Sequence, residues 1–269
     1  MTKQHPIEFV AVGHVTIDRV ENGRSEKRLG GAAAYAALAA RHLGVNVALV
    51  TSAGPDFPYW DRFTGIHTKT IDSEHTTELE HRYLDGERHQ RVHHVASAIR
   101  AEHVLGLPVA EDAAVLYCPV VHEVEAPLTA LAPRGLTAVA PQGFFRQWDD
   151  TGRISTRQWD GAERALEQAD IVCMSEEDTA VPEGLAETFA GKAFVVTQGS
   201  AGCRVYAGAD IFSFPALPAQ EVDATGAGDV LAASLVVALR RGDSLTDAVR
   251  FATREAAAAV EFIGTEGLS

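Results

Sequence analysis

The chain has 269 residues, 46% of them hydrophobic and 22% charged, the composition of an ordinary soluble globule and not of a disordered tail. A balance of 23 Lys+Arg against 37 Asp+Glu gives a net charge of −14, which excludes a nucleic-acid surface built from clustered basic residues. Cys118, Cys173 and Cys203 lie far apart in or beside apolar runs and read as reduced core residues. With no signal-like N-terminus and no apolar run near the ~20 residues of a membrane span, a cytoplasmic protein is expected.

Phe9 to Val12 is a short apolar run ending at Gly13-His14, the pattern of a buried strand that empties into a loop carrying Asp18. Open α/β sheets place their ligand crevice at such strand ends, although a turn aspartate facing solvent has the same appearance. Gly30 and Gly31 then lead into an Ala-rich helix through Leu43, stopped by Gly44, and Val45 to Val50 returns as a strand. From Ile66 to Ile99 the chain alternates polar and apolar residues around an Asp85-Gly86 turn, a hairpin signal. These strands, with those expected over about 15–28, are read as a small β lid. The spacing of His81, His89, His93 and His94 fits no compact metal set, so they are read as solvated or packed within the lid.

Four further β-rich runs, at Ala114–Tyr117, Thr137–Ala140, Ile171–Met174 and Ala193–Thr197, are separated by stretches such as the helical Gly161–Gln168. Their regular spacing predicts one α/β domain over 1–269, a doubly wound, mostly parallel sheet with the lid inserted. Several strand ends carry polar residues: Gln142 and Arg146 after one, Ser175, Glu177 and Asp178 after the next, and Thr197, Gly199 and Gly202 after the last. A guanidinium at Arg146 suits a phosphate or a hydroxyl pair, and a surface arginine fits as well. The Thr197–Gly202 turn suits a ribose or phosphate but is also an ordinary β-turn.

The densest feature follows. Asp223-Ala-Thr-Gly-Ala-Gly-Asp229 crowds small residues into a turn, brackets it with two acids and opens directly onto an apolar helix. The backbone N–H groups of Gly226, Ala227 and Gly228 are expected to lack helical acceptors at that N-terminus, where the helix dipole favours an anion. Asp229 would repel a phosphate, so its place implies a proton acceptor or a metal ligand. Beyond it, Ser244 with Asp247 forms a capping-box-like start to the last helix. No Gly-x-x-x-x-Gly-Lys-Ser/Thr occurs, which excludes a P-loop kinase.

The residues 223–229 resemble the C-terminal signature of the ribokinase/PfkB family of sugar and nucleoside kinases, and Gly30-Gly31 with the following helix resembles its N-terminal signature. The resemblance implies Asp229 as catalytic base and the Gly226, Ala227 and Gly228 amides as the anion hole for the migrating phosphoryl group. It also implies Asp18, Gly30 and Gly31 against the acceptor, and a nucleotide site at Thr197, Gly199, Gly202, Asp223 and Thr225. ATP and Mg²⁺ are the implied cofactors, with Asp178 or Glu177 holding a magnesium water. Two departures matter: Tyr35 stands where ribokinases carry an asparagine that reads sugar hydroxyls, and Ser175 and Asp178 replace an Asn-x-x-Glu pair. Tyr35, and the likeness of Gln142 to Arg146 to myo-inositol kinase-type members, favour a cyclitol or other polyol acceptor. A nucleoside kinase and a non-catalytic ligand-binding relative are the alternatives. The resemblance and the uncovered edge of the lid point to a homodimer.

Overall fold

The computed structural model describes residues 5–21, 25–84, 87–125, 128, 130–159, 161–162, 166–177 and 189–268. Strand β1 (Ile7–Val12) shows why the fold is three-layered. Phe9 and Ala11 belong to one hydrophobic core and Ile7, Val10 and Val12 to a second, so alternate side chains enter opposite faces of the sheet. A strand buried on both faces is apolar throughout, as parallel sheets require.

The main sheet has nine strands. Around β1 lie β4 (Val47–Ala53) and β5 (His67–Asp72) on one side, and β8 (Val109–Tyr117), β9 (Thr137–Val139), β12 (Ile171–Ser175) and β13 (Ala193–Thr197) on the other. All of these run parallel; β14 (Cys203–Ala207) and β15 (Asp210–Phe214) finish the edge antiparallel. Because β4 and β8 flank β1, successive connections leave it in opposite directions, and the sheet has its switch point between β1 and β8.

Helix α1 (Ala32–His42) buries nine consecutive residues, Ala32 to Ala40, against the first core. Alanines on nearly every face let it lie close between the sheet and a later helix, Ala227–Arg240, which presents Ala232 and Ala233 in return. Between these, Ala101–Val104 forms a single helical turn, α2, so the Ala227–Arg240 helix is α3 and Leu245–Ala259 is α4. Ser244 caps α4 as expected, accepting from the Asp247 N–H at 3.2 Å. No helix is long and apolar enough to cross a membrane among the described residues.

The small sheet has the order β3 (Ser25–Gly30), β2 (Thr16–Glu21), β6 (Thr77–Leu84), β7 (Glu87–His94). It consists of two antiparallel pairs joined through a parallel β2–β6 contact. Asp18 lies on a strand of this sheet, within the 15–28 stretch expected to supply lid strands, whereas His67–Asp72, also expected among them, pairs with β4 in the main sheet instead. The Asp85-Gly86 turn lies outside the described residues, as do residues 163–165 of the expected Gly161–Gln168 helix. An unforeseen ribbon, β10 (Arg146–Trp148) with β11 (Ile154–Thr156), follows the β9 end.

Buried polar contacts fix the root of the small sheet. Fully buried His14 accepts from the Thr77 hydroxyl at Nδ1 (2.7 Å) and donates from Nε2 to the Ser97 carbonyl (2.9 Å). Asp56 accepts from both the N–H and the hydroxyl of Thr76. Glu123, 3% exposed, accepts from the N–H groups of His14 (2.9 Å), Val120 (2.9 Å) and Val121 (2.7 Å). That carboxylate joins the chain leaving β1 to the chain leaving β8.

Candidate active site

The glycine turn meets the sheet at its switch point. Gly226 is the N-cap of α3 with φ 81°, a left-handed conformation that favours glycine. A side chain there would also collide with a neighbour, since an added Cβ would stand 2.2 Å from Tyr35 Cδ1. Tyr35, 4% exposed on α1, thus lies with its ring against the turn. Burial, then the charges of Asp18, Asp223 and Asp229, pushes its phenol well above the usual tyrosine range.

Of the three amides expected to form the anion hole, that of Ala227 donates to the Ala224 carbonyl at 3.3 Å. Space beside Gly228 is open: an added Cβ there meets nothing within 4 Å. Asp229 occupies the first turn of α3 and is half-buried. Its charge also acts on Cys118, whose thiol is raised first by burial and then by Asp229 and Glu123.

Asp18, on β2 of the small sheet, is 8% exposed. The Thr16 hydroxyl donates to its Oδ1 at 2.5 Å, and His81 Nε2 lies 3.2 Å from Oδ2, a charge contact poorly aligned as a hydrogen bond. Gly30 is required here because an added Cβ would fall 2.2 Å from the Asp18 carboxyl carbon. Gly31 caps α1 at φ 95°, with the His14 carbonyl 2.3 Å from the Cβ it lacks.

A polar relay continues from Asp18. The Gln90 amide nitrogen donates to His81 Nδ1 at 3.1 Å, which leaves the proton of a neutral imidazole on Nε2, toward Asp18. Arg146 Nη2 donates to Gln90 Oε1 at 3.4 Å, and Nη1 donates to the Val120 carbonyl at 3.0 Å. Arg146 is 8% exposed, so it is not a surface arginine. Gln142 sits half-buried one turn before it, on the 3₁₀ turn Pro141–Phe145.

His81 and Gln90 were not identified as site residues from sequence. Their one signal is the period-2 pattern of β6, which puts His81 on the face of Thr77 and Leu79. The parallel register that brings it to Asp18 is invisible without the strand pairing. His81→Phe is expected to raise the acceptor KM about tenfold or more while leaving the donor KM within about twofold, since it removes the polar ring that lies 3.2 Å from the Asp18 carboxylate and replaces it with an apolar one. Steady-state kinetics with each substrate varied in turn checks this.

The remaining candidates divide. The Thr197 hydroxyl donates to the Met174 carbonyl at 3.4 Å, and Gly199 and Gly202 bound a single 3₁₀ turn at the β13 end. Gly202 lies against β15, with the Phe214 carbonyl 2.0 Å from its absent Cβ. The Asp223 carboxylate accepts from the Thr225 N–H (2.9 Å) and the Gly264 N–H (3.1 Å), tying the turn to the C-terminal segment. The Glu177 N–H donates to Ser175 Oγ at 3.1 Å, and Glu176 accepts from Gln198 at 2.9 Å; Asp178 lies outside the described residues. No cluster of three His, Cys, Asp or Glu side chains suited to a metal ion is present among the described residues.

The pfkB family carbohydrate kinase model matches residues 7–268. The chain belongs to that family. As a member it is a phosphotransferase with an alcohol acceptor. It is 26% identical to the cytidine kinase of Thermococcus kodakarensis, over 93% of this chain and 95% of that protein. It is 39% identical to the ribokinase of Bacillus subtilis over 87 residues, which are 32% of this chain and 29% of the ribokinase's length. Among solved structures, a pyrophosphate-dependent kinase of the ribokinase family, complexed with a pyrophosphate analog and myo-inositol, superposes with a TM-score of 0.79. It is 19% identical and covers 95% of this chain and 96% of its own, a likeness of fold.

Proposed function

We propose that the protein transfers a phosphoryl group from ATP to one hydroxyl of a small polyol or cyclitol. The observation that supports this reading is the gathering of two carboxylates about one buried phenol: Asp18 on the small sheet and Asp229 in the first turn of α3 both act on Tyr35, whose ring lies against Gly226. In this reading Asp229 removes the proton of the attacking hydroxyl, and the Gly226 and Gly228 amides meet the charge that develops on the migrating group. Asp18, oriented by Thr16 and His81, accepts from neighbouring acceptor hydroxyls, with Gly30 and Gly31 allowing close approach. Arg146, reached through Gln90 and His81, ends the polar wall, and Gln142 adds an amide beside it. A wall of alternating donors and acceptors suits a ring bearing a hydroxyl on every side better than a nucleoside base.

Thr197, Gly199, Gly202, Asp223 and Thr225 are assigned to the donor side. A groove of about 810 Å³ between β15 and α4, lined by Phe212, Phe214, Leu217, Arg250 and Arg254, is compatible with a purine base. Mg²⁺ would neutralise the donor phosphates. The carboxylate of Glu177, just past the β12 end, is a hard oxygen donor suited to an ion that keeps most of its waters; Asp178 lies outside the described residues. Inorganic pyrophosphate is the second reading for the donor, favoured by the likeness of fold to the pyrophosphate-dependent kinase. A cytoplasmic location, consistent with three buried free cysteines, and a homodimer formed through the small sheet complete the proposal. The test is product release from a panel of cyclitols, polyols, sugars and nucleosides, each offered with MgATP and with magnesium pyrophosphate. ADP formed with a cyclitol is the expected result; phosphate formed only from pyrophosphate replaces the donor, and turnover confined to nucleosides replaces the acceptor.

A further inference from the structure

Arg28 pairs with Asp18 in the β2–β3 register, so both side chains leave the same face of the small sheet. Its Nη1 lies 3.4 Å from Asp223 Oδ2 and its Nη2 donates to Glu26 Oε2 at 2.8 Å. The first of these contacts joins the small sheet to the opening residue of the glycine signature. Asp223 is held there by two backbone N–H groups as well and cannot turn away. Arg28 Nε is buried and has no acceptor among the described residues, so the guanidinium is placed by charge more than by a complete set of hydrogen bonds.

The electrostatic problem is local. Asp18, Asp223 and Asp229 all lie close enough to act on the Tyr35 hydroxyl, and Arg28 acts on it with the opposite sign. The N-terminus of α3 contributes only about half a positive charge. A bare carboxylate in the glycine turn, where Asp223 is bonded to the Thr225 N–H, opposes an anionic donor unless it is neutralised.

We propose that Arg28 is a positioning residue that neutralises Asp223, so that the glycine turn accepts an anionic phosphoryl donor only while β3 is docked on it. The inference rests on the phosphotransferase reading above and names how the two halves of that site are coupled. Charge compensation and simple tethering predict different outcomes. If Arg28 only tethers the sheet, removing either partner is equally harmful. If it neutralises Asp223, removing Arg28 leaves a bare carboxylate beside the donor, and removing the carboxylate as well relieves the damage.

The experiment is calorimetric titration with MgATP and, separately, with magnesium pyrophosphate, on the wild-type chain, Arg28→Met, Arg28→Lys, Asp223→Asn and the double variant Arg28→Met/Asp223→Asn. Arg28→Met is expected to weaken the donor that the wild type binds about tenfold or more, Arg28→Lys less, and Asp223→Asn less than Arg28→Met. The double variant is expected to bind at least about threefold more tightly than Arg28→Met, and the Arg28→Met defect is expected to shrink in high salt. Should Arg28→Met not fold, Arg28→Gln and its Asp223→Asn double take its place. Donor affinity unchanged in the Arg28 variant, or losses that multiply in the double, would overturn the proposal and leave the phosphotransferase reading standing. A wild-type chain that binds neither donor removes both.

Discussion

Asp229→Asn is expected to lower kcat by about two to four orders of magnitude, the range that positioned proton transfer contributes. The amide keeps the shape and the helical position of the carboxylate but cannot accept the acceptor's proton. Packing should not suffer, because the side chain is half-buried in the first turn of α3 and is not part of a core. Donor binding should hold or tighten, since one negative charge leaves the neighbourhood of the phosphates. Single-turnover kinetics beside a donor titration separates the two effects. A variant that turns over within about threefold of the wild type would show that the proton goes elsewhere.

Glu123→Ala is expected to be the most destabilising change at the edge of the site. The buried carboxylate serves three backbone donors, those of His14, Val120 and Val121. Each buried donor left without an acceptor costs about 1–3 kcal/mol, and water entering the space recovers part of it. A net loss of roughly 3–5 kcal/mol follows, a large share of a typical stability of about 5–15 kcal/mol. Urea denaturation should show a lower midpoint, and a thermal melt a shift of roughly 10 °C. Glu125→Ala is the control: its pair with Arg100 is exposed on both sides, and such pairs contribute ~0–1 kcal/mol. Equal stability of the two variants would mean that the buried carboxylate is not the clasp described above.

Much of the fold was legible because its signals are local. Apolar strand runs, the Ala-rich helix, the Ser244 cap and the glycine turn before Val230 each declare themselves within about ten residues, and all appear in the structure. What sequence left unread depends on register between distant segments. The partner of Asp18 in β6 stands some sixty residues away, and nothing within Val15 to Asp18 announces that pairing. His81 looks like one of four interchangeable lid histidines until β6 is laid beside β2. Glu123 carries no motif at all, since what it serves is backbone. Tyr35 is singled out by the asparagine it displaces, but the contact of its ring with Gly226 is visible only in the fold.

That last contact ties two positions nearly two hundred residues apart into a shared volume. Trimming the ring at 35 would free the space above it, yet the handedness of the backbone at 226 still resists almost any side chain. Laboratory evolution allowed to vary both sites would accordingly drift at one and stand still at the other, and the invariant one would be the residue with nothing to mutate from but hydrogen.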